Sequence, residues 1–362
     1  MRILLILLTL FSFSFALAPA GVKAFQIITI NSSQVAETNT HFLFQIKIPC
    51  TGAVIANCTS SVNVVVYKSD IDTTKVPKWV VYTADTLFLY ADVAVSTIAN
   101  SSYVVGYGKA VNTANSSSTF TNCGITNFWG FDEPSGTSTV DFAGGQTGTI
   151  SSPANRTTSG IFYKNIQFVN TSPSGISHTQ EIIGSGNRSI SFSIVRGAET
   201  GTLQRLFYNG KVEITLNNTN NGTVSFTNNG TITVASFGNA FPNIGQRYFA
   251  MFTRSSTGDV DLYVNGAKVS TTQSGGATVV GTVGLKMGSL NGALPSNAAI
   301  DNVEFTSTIR TIEYHTTQYN MLFTPATLST LGAVKSISTS SDGKSSAFKS
   351  AFKWQAFKSA FR

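Results

Sequence analysis

The stretch SISFSIV, residues 189–195, alternates serine with Ile190, Phe192 and Ile194, which is the period of two that a half-buried β-strand requires. A second stretch, LFYNGKV at 206–212, places an Asn-Gly pair between apolar runs, and this pair favours the tight turn of a β-hairpin. Further hairpins are predicted at 223–234, 248–264 and 263–269, where strand-like runs flank turns rich in Asn, Gly, Ser and Thr.

Short apolar runs separated by turn clusters also fill residues 25–123. We expect strands at 25–30, 42–48, 64–67, 79–82, 87–90 and 103–107. A low-complexity stretch at 112–121 marks the end of this unit, and only a turn near 309–319 departs from the β pattern. The predicted fold class is therefore all-β, with two β-sandwich domains in series at 25–123 and 124–320.

Residues 1–24 are predicted to be a secretory signal peptide rather than part of the fold. Arg2 supplies a positive start, an apolar run follows at 3–17, and small residues precede Phe25, the expected first residue of the mature chain. The apolar run is shorter than the roughly 20 residues that a membrane-spanning helix needs. The sequence therefore predicts a secreted or cell-surface protein without a transmembrane helix in the mature chain.

The formal net charge of +7 comes from the two ends of the chain, because the body between residues 25 and 334 is balanced. A balanced body has no broad basic face, which argues against nucleic acid as a partner. The basic tail at 335–362 repeats Ser-Ala-Phe-Lys, which indicates contact with a membrane surface or an anionic polymer. The candidate contacts are Phe348, Phe352, Lys353, Trp354, Phe357 and Lys358. A disordered extension and a functionless product of repeat slippage are the alternatives.

The chain has three cysteines. In an exported protein, Cys50 and Cys58 are close enough in sequence to close a small loop by a disulfide. Cys123 is then a free, buried thiol, or a partner for either of the others. No CxxC motif or Cys/His cluster indicates a zinc site.

Three landmarks in the second unit resemble the laminin-G-like, concanavalin A-like sandwich family. They are WGFDE at 129–133, the pair RYFAMF at 247–252 and DLYVNG at 261–266, and AIDNVEF at 299–305. The first unit, with ITINSS at 28–33 and YVVGYG at 103–108, resembles a domain of unknown function found before such sandwiches in prokaryotic surface proteins. The segment from 312 to 332 resembles the join after the second domain. The resemblance implies a jelly roll at 124–320 and a closing segment at 321–334.

The resemblance also implies a calcium ion near a sheet edge, held by oxygen ligands as a hard cation requires. Asp141 and Asp301 occupy the matching positions in the opening and closing segments. The competing interpretation is that each carboxylate caps a turn by accepting backbone N–H bonds. The loop after Asp141 offers only backbone oxygens, which favours this second interpretation.

Enzymatic chemistry finds little support in the sequence. The β-glucanase branch of this fold carries its carboxylates in a Glu-x-Asp-x-x-Glu run on one strand, and no such run is present. The three histidines have no Gly-x-Ser-x-Gly partner that would indicate a serine hydrolase. We therefore predict that the protein is not an enzyme, with a glycoside hydrolase as the least favoured alternative.

Sugar binding requires exposed aromatic rings beside polar side chains. Tyr208 and Asn209 at a predicted hairpin tip, together with Tyr163, are the candidates, whereas Trp129 and Tyr263 lie within apolar strands and are expected in the core. The sequence thus predicts a non-catalytic adhesion or carbohydrate-binding protein that recognises a glycan or cell-surface polymer through the laminin-G-like domain. The alternative is a structural spacer or assembly subunit of a cell envelope or appendage, without a ligand.

Overall fold

The computed structural model describes residues 22–52, 54, 63–68, 74–83, 85–108, 114–133, 135–170, 174–179, 186–198, 203–210, 212–217, 222–228, 232–269, 271–273, 284–289 and 296–336. Residues 1–21, which hold most of the predicted signal peptide, and residues 337–362 of the predicted tail lie outside this set. None of the helices in the described residues is both long and apolar enough to span a bilayer.

The chain folds into β-sandwiches built from antiparallel sheets, as the sequence predicts. The first sandwich contains β1 (Ala24–Ile30), β2 (Asn39–Pro49), β3 (Val64–Tyr67), β4 (Lys75–Val76), β5 (Lys78–Tyr82), β6 (Thr86–Val95) and β7 (Ser101–Tyr107). One of its sheets has the order β2-β6-β5, and the other is built on β1, β7, β3 and β4. The predicted strands of the first unit are thus confirmed, with β2 and β6 longer than expected.

The second sandwich packs a nine-stranded sheet against an eight-stranded sheet. Its strands are β8 (Ile125–Trp129), β9 (Ser138–Val140), β10 (Thr147–Ser151), β11 (Asn155–Thr157), β12 (Asn165–Gln167), β13 (Ser174–Ser177), β14 (Arg188–Arg196), β15 (Leu203–Tyr208), β16 (Val212–Asn217), β17 (Thr223–Asn228), β18 (Ile232–Phe237), β19 (Arg247–Arg254), β20 (Val260–Val264), β21 (Ala267–Lys268), β22 (Thr271–Gln273), β23 (Lys286–Ser289) and β24 (Ala298–Thr306). The nine-stranded sheet has the order β22-β18-β17-β16-β15-β23-β13-β10-β9. The other sheet runs β11-β12-β24-β14-β19-β20-β21, with β8 beside β24.

The alternation that predicts β14 also determines which of its side chains enter the core. Ile190, Phe192 and Ile194 are buried between the two sheets of the second sandwich. The predicted hairpins β15–β16, β17–β18, β19–β20 and β20–β21 are all present. In the last of these, Asn265 and Gly266 take positive φ angles of 51° and 83°, the conformation that favours Asn-Gly in a two-residue turn.

Three short or medium helices complete the described structure: α1 (Ser118–Thr121), α2 (Ile312–Phe323) and α3 (Pro325–Leu328). The segment near 309–319, where the sequence predicts a turn as an exception to the β pattern, contains the start of α2, a helix of 12 residues that is longer than the expected turn. Thr311 caps it by accepting the N–H of Tyr314 at 3.0 Å, and Glu313 adds an acidic side chain to the first turn.

Helix α2 lies between the two sandwiches and contacts both. Tyr314 and Met321 belong to the core of the first sandwich. On the other side, the His315 ring stacks on Phe249 with centroids 4.7 Å apart. Gln318 donates from Nε2 to Glu304 of β24 at 2.8 Å. The helix therefore crosses the predicted boundary at residue 320 and joins the two units.

The C-terminal part of the described chain returns to the first sandwich. Strands β25 (Ser329–Leu331) and β26 (Lys335–Ser336) pair antiparallel with β1, so that Leu331 lies opposite Ile28 and Lys335 opposite Phe25. The sheet built on β1 thereby gains its fifth and sixth strands. The predicted closing segment and the first two residues of the predicted tail are thus part of the first sandwich. Ala24, placed before the predicted cleavage point, is the buried first residue of β1.

A cluster of aromatic side chains fills the junction of the sandwiches. Tyr90 of β6 contacts Phe128 and Phe162 of the second sandwich, with ring centroids 5.5 and 4.8 Å apart. Phe120 of α1 stacks on Phe128 at 4.9 Å, and Phe142 packs against both. Such ring pairs contribute about 0.5–1.5 kcal/mol each beyond their area burial, so the junction resembles a core rather than a loose contact.

Candidate functional site

Two carboxyl groups, Asp132 and Asp301, are fully buried at the junction of the sandwiches. Both are held by the loop that precedes β12. Asp301 accepts the N–H of Ile161 at 2.6 Å, and Asp132 accepts the N–H of Lys164 at 3.0 Å. Asp132 also accepts a short hydrogen bond from the Tyr90 hydroxyl of the first sandwich. A hydrogen bond between side chains therefore joins the two sandwiches inside the aromatic cluster.

The protonation of this pair is set by burial. Desolvation raises the pKa of Asp301 to about 7, and the opposing charge of Arg247 and three backbone N–H bonds limit the rise. Desolvation raises the pKa of Asp132 well above its usual range, and the neighbouring Asp301 charge raises it further. Two such groups cannot both ionise cheaply, so the pair holds a proton near neutral pH.

Asp141 occupies a tight turn rather than a ligand cage. Its carboxylate accepts the N–H groups of Phe128, Ala143 and Gly144 at 2.8, 3.0 and 3.0 Å, and the Asn127 amide at 2.6 Å. These donors supply the backbone capping that the second interpretation of this residue predicts. Burial raises the pKa of Asp141, although these four hydrogen bonds oppose the rise.

The two carboxylates proposed for calcium do not form one ligand set. Asp141 is occupied by its turn, while Asp301 faces Asp132 and the loop before β12. In the part of the chain that the structure describes, no group of three or more His, Cys, Asp and Glu side chains is arranged to hold a metal ion. A calcium ion takes six to eight oxygen ligands, so Asp141 and Asp301 do not fit the predicted site.

Tyr163 belongs to the junction rather than to an open surface. Its half-buried ring stacks on Phe88 of β6 with centroids 4.5 Å apart. The ammonium group of Lys164 lies 5.2 Å from the same ring centroid. One face of the Tyr163 ring is therefore covered by Phe88, and a sugar contact at this residue stays a prediction.

Tyr208 lies on the outer face of the nine-stranded sheet, in a polar patch. Val212 and Ile214 of β16 enter the core, so the alternating Glu213 faces outward, directly opposite Tyr208. The Arg205 guanidinium sits 4.3 Å from the Tyr208 ring centroid, and its Nε donates to Glu213 at 2.6 Å. We call Arg205, Tyr208 and Glu213 the Tyr208 patch.

Asn209 is not a surface residue, contrary to its predicted role beside Tyr208. It is fully buried, and its Oδ1 accepts the N–H of Val212 at 2.7 Å. Its own N–H donates to the Val212 carbonyl at 3.1 Å. The side chain therefore closes the β15–β16 turn, which is the local role that Asn plays in many turns.

The remaining expectations have mixed outcomes. Trp129 is fully buried, as expected, whereas Tyr263 is only half-buried. Cys50 and Cys123 are both buried and both free thiols, so the structure has no disulfide at Cys50. Its predicted partner Cys58 lies outside the described residues. The tail contacts Phe348, Phe352, Lys353, Trp354, Phe357 and Lys358 lie outside them as well.

Sequence reasoning missed the partners that give these residues their surroundings. In the sequence Asp132 stands out only as part of the WGFDE stretch at 129–133, and its interaction with Asp301 joins positions 169 residues apart. Arg205 and Glu213 carry a usable signal, since each lies on the polar side of a predicted alternating strand that flanks the Asn-Gly pair. Nothing in the residues around Lys47 indicates that it lies near enough to Asp301 to feel its charge.

Comparison with known proteins yields distant structural likenesses. The receptor binding domain of botulinum neurotoxin C/D mosaic serotype is 14% identical, with a TM-score of 0.45, over 55% of this chain and 51% of that chain. The binding domain of Paraclostridial Mosquitocidal Protein 1 is 12% identical, with a TM-score of 0.45, over 54% of this chain and 52% of that chain. A mutant of Trypanosoma rangeli sialidase displaying trans-sialidase activity is 11% identical, with a TM-score of 0.44, over 68% of this chain and 44% of that chain.

The chain thus spans about half the length of the two binding domains. No protein-family model matches the sequence, and neither does any curated protein. Likenesses at this level carry no argument about function, which has to come from the residues themselves.

Proposed function

We propose that the protein is a non-catalytic, extracellular or cell-surface binding protein that recognises a glycan or surface polymer through its second, laminin-G-like sandwich. The Tyr208 patch is the observation that carries this proposal. It presents the partly exposed ring of Tyr208, held by a largely buried Arg205–Glu213 ion pair whose guanidinium lies over one side of the ring. An amphipathic ring beside a few fixed polar groups is the combination that orients a polyhydroxylated ligand.

The Tyr208 patch is held in place by the sheet rather than by a loop. Tyr208 pairs with Glu213 of β16 on one side and with Lys286 of β23 on the other. The Arg205–Glu213 ion pair is largely buried, with side-chain exposures of 12% and 5%, which fixes the guanidinium over the ring. A preformed site loses less conformational entropy on binding than a mobile one.

The non-catalytic part of the proposal rests on the buried acids. Asp132 and Asp301 interact electrostatically, and both are fully buried with their oxygens bound by the protein's own donors. Glycoside hydrolysis needs two carboxyl groups that flank a substrate. In these surroundings the two carboxyl groups are hydrogen-bonded inside the junction and have no access to a sugar.

A glycan array probed with the full chain, in calcium and in chelator, tests the proposal. The Tyr208→Ala variant is expected to bind at least about tenfold more weakly, as for removal of a central aromatic contact. Tyr319→Ala is the matched control, because Tyr319 is also a half-buried tyrosine, stacked on Phe323 at 4.9 Å in α2. Calcium dependence remains a hypothesis that the chelator arm addresses directly.

A silent array, or equal loss of binding in both tyrosine variants, contradicts the proposal. The second candidate, a structural spacer or assembly subunit, would then be favoured. It is supported by the aromatic junction and by α2, which join the sandwiches through buried contacts.

A further inference from the structure

A groove with a cavity volume of about 260 Å³ runs along the junction, separate from the Tyr208 patch. It lies between β2 of the first sandwich, the loop at 161–162 of the second, and the α2–α3–β25 segment. Its walls are mainly apolar, through Ile46, Phe162, Met321, Leu322, Ala326 and Leu331. This volume matches two or three apolar side chains better than a whole folded element.

One wall of the groove is a strand edge. Among the described strands β2 pairs with β6 alone, so its opposite edge faces away from the three-stranded sheet. The backbone N–H of Gln45 points away from β6, because it donates to the sulfur of Met321 at 3.0 Å. Lys47 lies two residues further along β2 and so directs its backbone N–H and carbonyl to the same side.

Helix α2 covers this edge at Gln45 but does not reach Lys47. Among the described residues, no backbone hydrogen bond joins the N–H or carbonyl of Lys47 to a neighbouring loop or helix, and its side chain is exposed. Native proteins usually cover or block such an edge, because it is a template for another strand. Here the open part of the edge is Lys47, because Pro49 has no N–H and its carbonyl accepts the N–H of Thr51 at 3.1 Å, and this open residue lies at an apolar groove.

The groove carries one formal charge among its described lining residues, the ammonium of Lys47. Partial burial lowers the pKa of Lys47, and the charges of Asp301 and Asp132 oppose this shift. Both acids are themselves fully buried, where Asp301 accepts the N–H of Ile161 and Asp132 that of Lys164. A ligand in the groove therefore meets a cation at the rim and no exposed acid. Charge complementarity favours a partner with an acidic group.

We propose that this groove binds an extended peptide segment of a partner protein, which adds to the edge of β2 at Lys47, inserts apolar side chains and places an acidic side chain beside the ammonium. Main-chain hydrogen bonds to a strand edge supply affinity in this mode, and pockets for alternate side chains supply selectivity. The chain's own tail is a poor occupant, because its basic residues between 344 and 362 repel Lys47.

Fluorescence anisotropy with the full chain and a labelled hexapeptide, acetyl-Val-Thr-Val-Glu-Val-Thr-amide, tests this proposal. Lys47→Glu is expected to weaken binding about fivefold, the scale of a partly exposed ion pair turned into a repulsion. A hexapeptide with lysine in place of glutamate should regain affinity for Lys47→Glu and bind the natural chain poorly. Ala326→Trp, which fills the groove from α3, should abolish binding.

Matched controls separate loss of the groove from loss of the fold. Ala333→Trp adds the same ring at an exposed position outside the groove lining, and it should bind the peptide normally. All variants must keep the far-UV circular dichroism spectrum and melting temperature of the natural chain. A hexapeptide with N-methylated backbone amides should bind at least about tenfold more weakly if strand addition is the mode.

Three outcomes overturn the proposal: no saturable binding of the glutamate peptide, binding unchanged by Ala326→Trp, or displacement of the peptide by a synthetic 337–362 segment. The last outcome would identify the tail as the occupant. None of these outcomes bears on the Tyr208 patch, so the two proposals fail independently.

Discussion

Replacing Asp301 with asparagine removes a carboxyl group that is fully buried beneath the loop at 159–164. The pKa of Asp301 rises from 3.8 to about 7 on folding, mainly because burial disfavours the charged form. A group whose folded pKa lies above its unfolded value stabilises the protein fully below the unfolded pKa. That stabilisation is lost as pH rises through the folded pKa. The free energy of unfolding of the natural protein therefore falls as pH rises from about 4 to about 7, and the loss is complete above pH 7.

The magnitude follows from the shift in pKa. A shift of about three pKa units at about 1.4 kcal/mol each gives about 4 kcal/mol of pH-dependent stability. Asparagine keeps the shape but offers one carbonyl oxygen to the N–H groups of Ile161 and Asn302, which costs about 1–3 kcal/mol at every pH. Asp301→Asn is thus expected to be less stable than the natural chain at pH 4.5 and more stable at pH 8. Asp132 strengthens this trend, because it loses a charged neighbour.

Urea unfolding followed by tryptophan fluorescence, at half-unit steps from pH 4.5 to 8, gives both free energies of unfolding. The difference between variant and natural chain isolates this pair of carboxyls, since the other titrating groups are common to both proteins. Asp259→Asn, at an exposed hairpin position, serves as the control and should leave the profile unchanged. A difference that stays flat across the pH range would refute the account of a protonated pair at the junction.

Two further perturbations probe the same junction. Tyr90→Phe removes the hydroxyl that donates to Asp132 and is expected to cost about 1–3 kcal/mol, with the loss growing above neutral pH because the hydrogen bond lowers the pKa of Asp132. Tyr107→Phe is the control, because the Tyr107 hydroxyl donates to Gln26, which does not titrate, at 2.6 Å. Its loss of unfolding free energy should not vary with pH. Identical pH profiles for the two variants would contradict the role of Asp132. His315→Phe keeps the aromatic stack on Phe249 and removes the titrating ring. Burial lowers the pKa of His315 to about 3, so the folded natural chain leaves this ring neutral at a pH below 6.5, where the unfolded chain protonates it. Between pH 7 and pH 5 the free energy of unfolding of the natural chain should fall by about 2 kcal/mol more than that of the variant, as measured by thermal or urea unfolding. Equal falls in the two proteins would exclude this role for His315.

The strands could be predicted because each leaves a local pattern. Ile190, Phe192 and Ile194 alternate with serine, and that alternation alone separates the core face of β14 from its outer face. Helix α2 left no such pattern, because the face it buries carries His315, Thr317 and Gln318 rather than an apolar stripe. Gln318 donates to Glu304, His315 stacks on Phe249, and Thr317 accepts the N–H of Ala36. Hydrophobic periodicity cannot report contacts of this kind.

The candidate site shows the same division. The hairpin at 209–210 was readable from its turn residues, but the burial of Asn209 was not, since an Asn in a turn can point to solvent or cap its own backbone. The pairing of Asp301 with Asp132 depends on how β24 and the loop before β12 come together, and the return of β25 to β1 joins residues about 300 positions apart. Long-range placements of this kind leave no mark on neighbouring residues.

The buried polar contacts at the junction give it a geometry that the aromatic rings alone would not. Ring clusters tolerate small slips, since dispersion and burial are not directional, whereas the hydrogen bond from Tyr90 to Asp132 and the one from Gln318 to Glu304 hold only at one relative placement of the sandwiches. Leaving one partner of a buried polar pair without the other costs more free energy than the intact pair contributes to stability. These two hydrogen bonds therefore act mainly by disfavouring other relative placements of the sandwiches. The groove beside Lys47 has one wall from each sandwich and a third from α2. Its shape therefore depends on the same contacts that fix the junction, and a change that loosens Tyr90–Asp132 should weaken peptide binding at the groove while leaving the Tyr208 patch, built within a single sheet, intact.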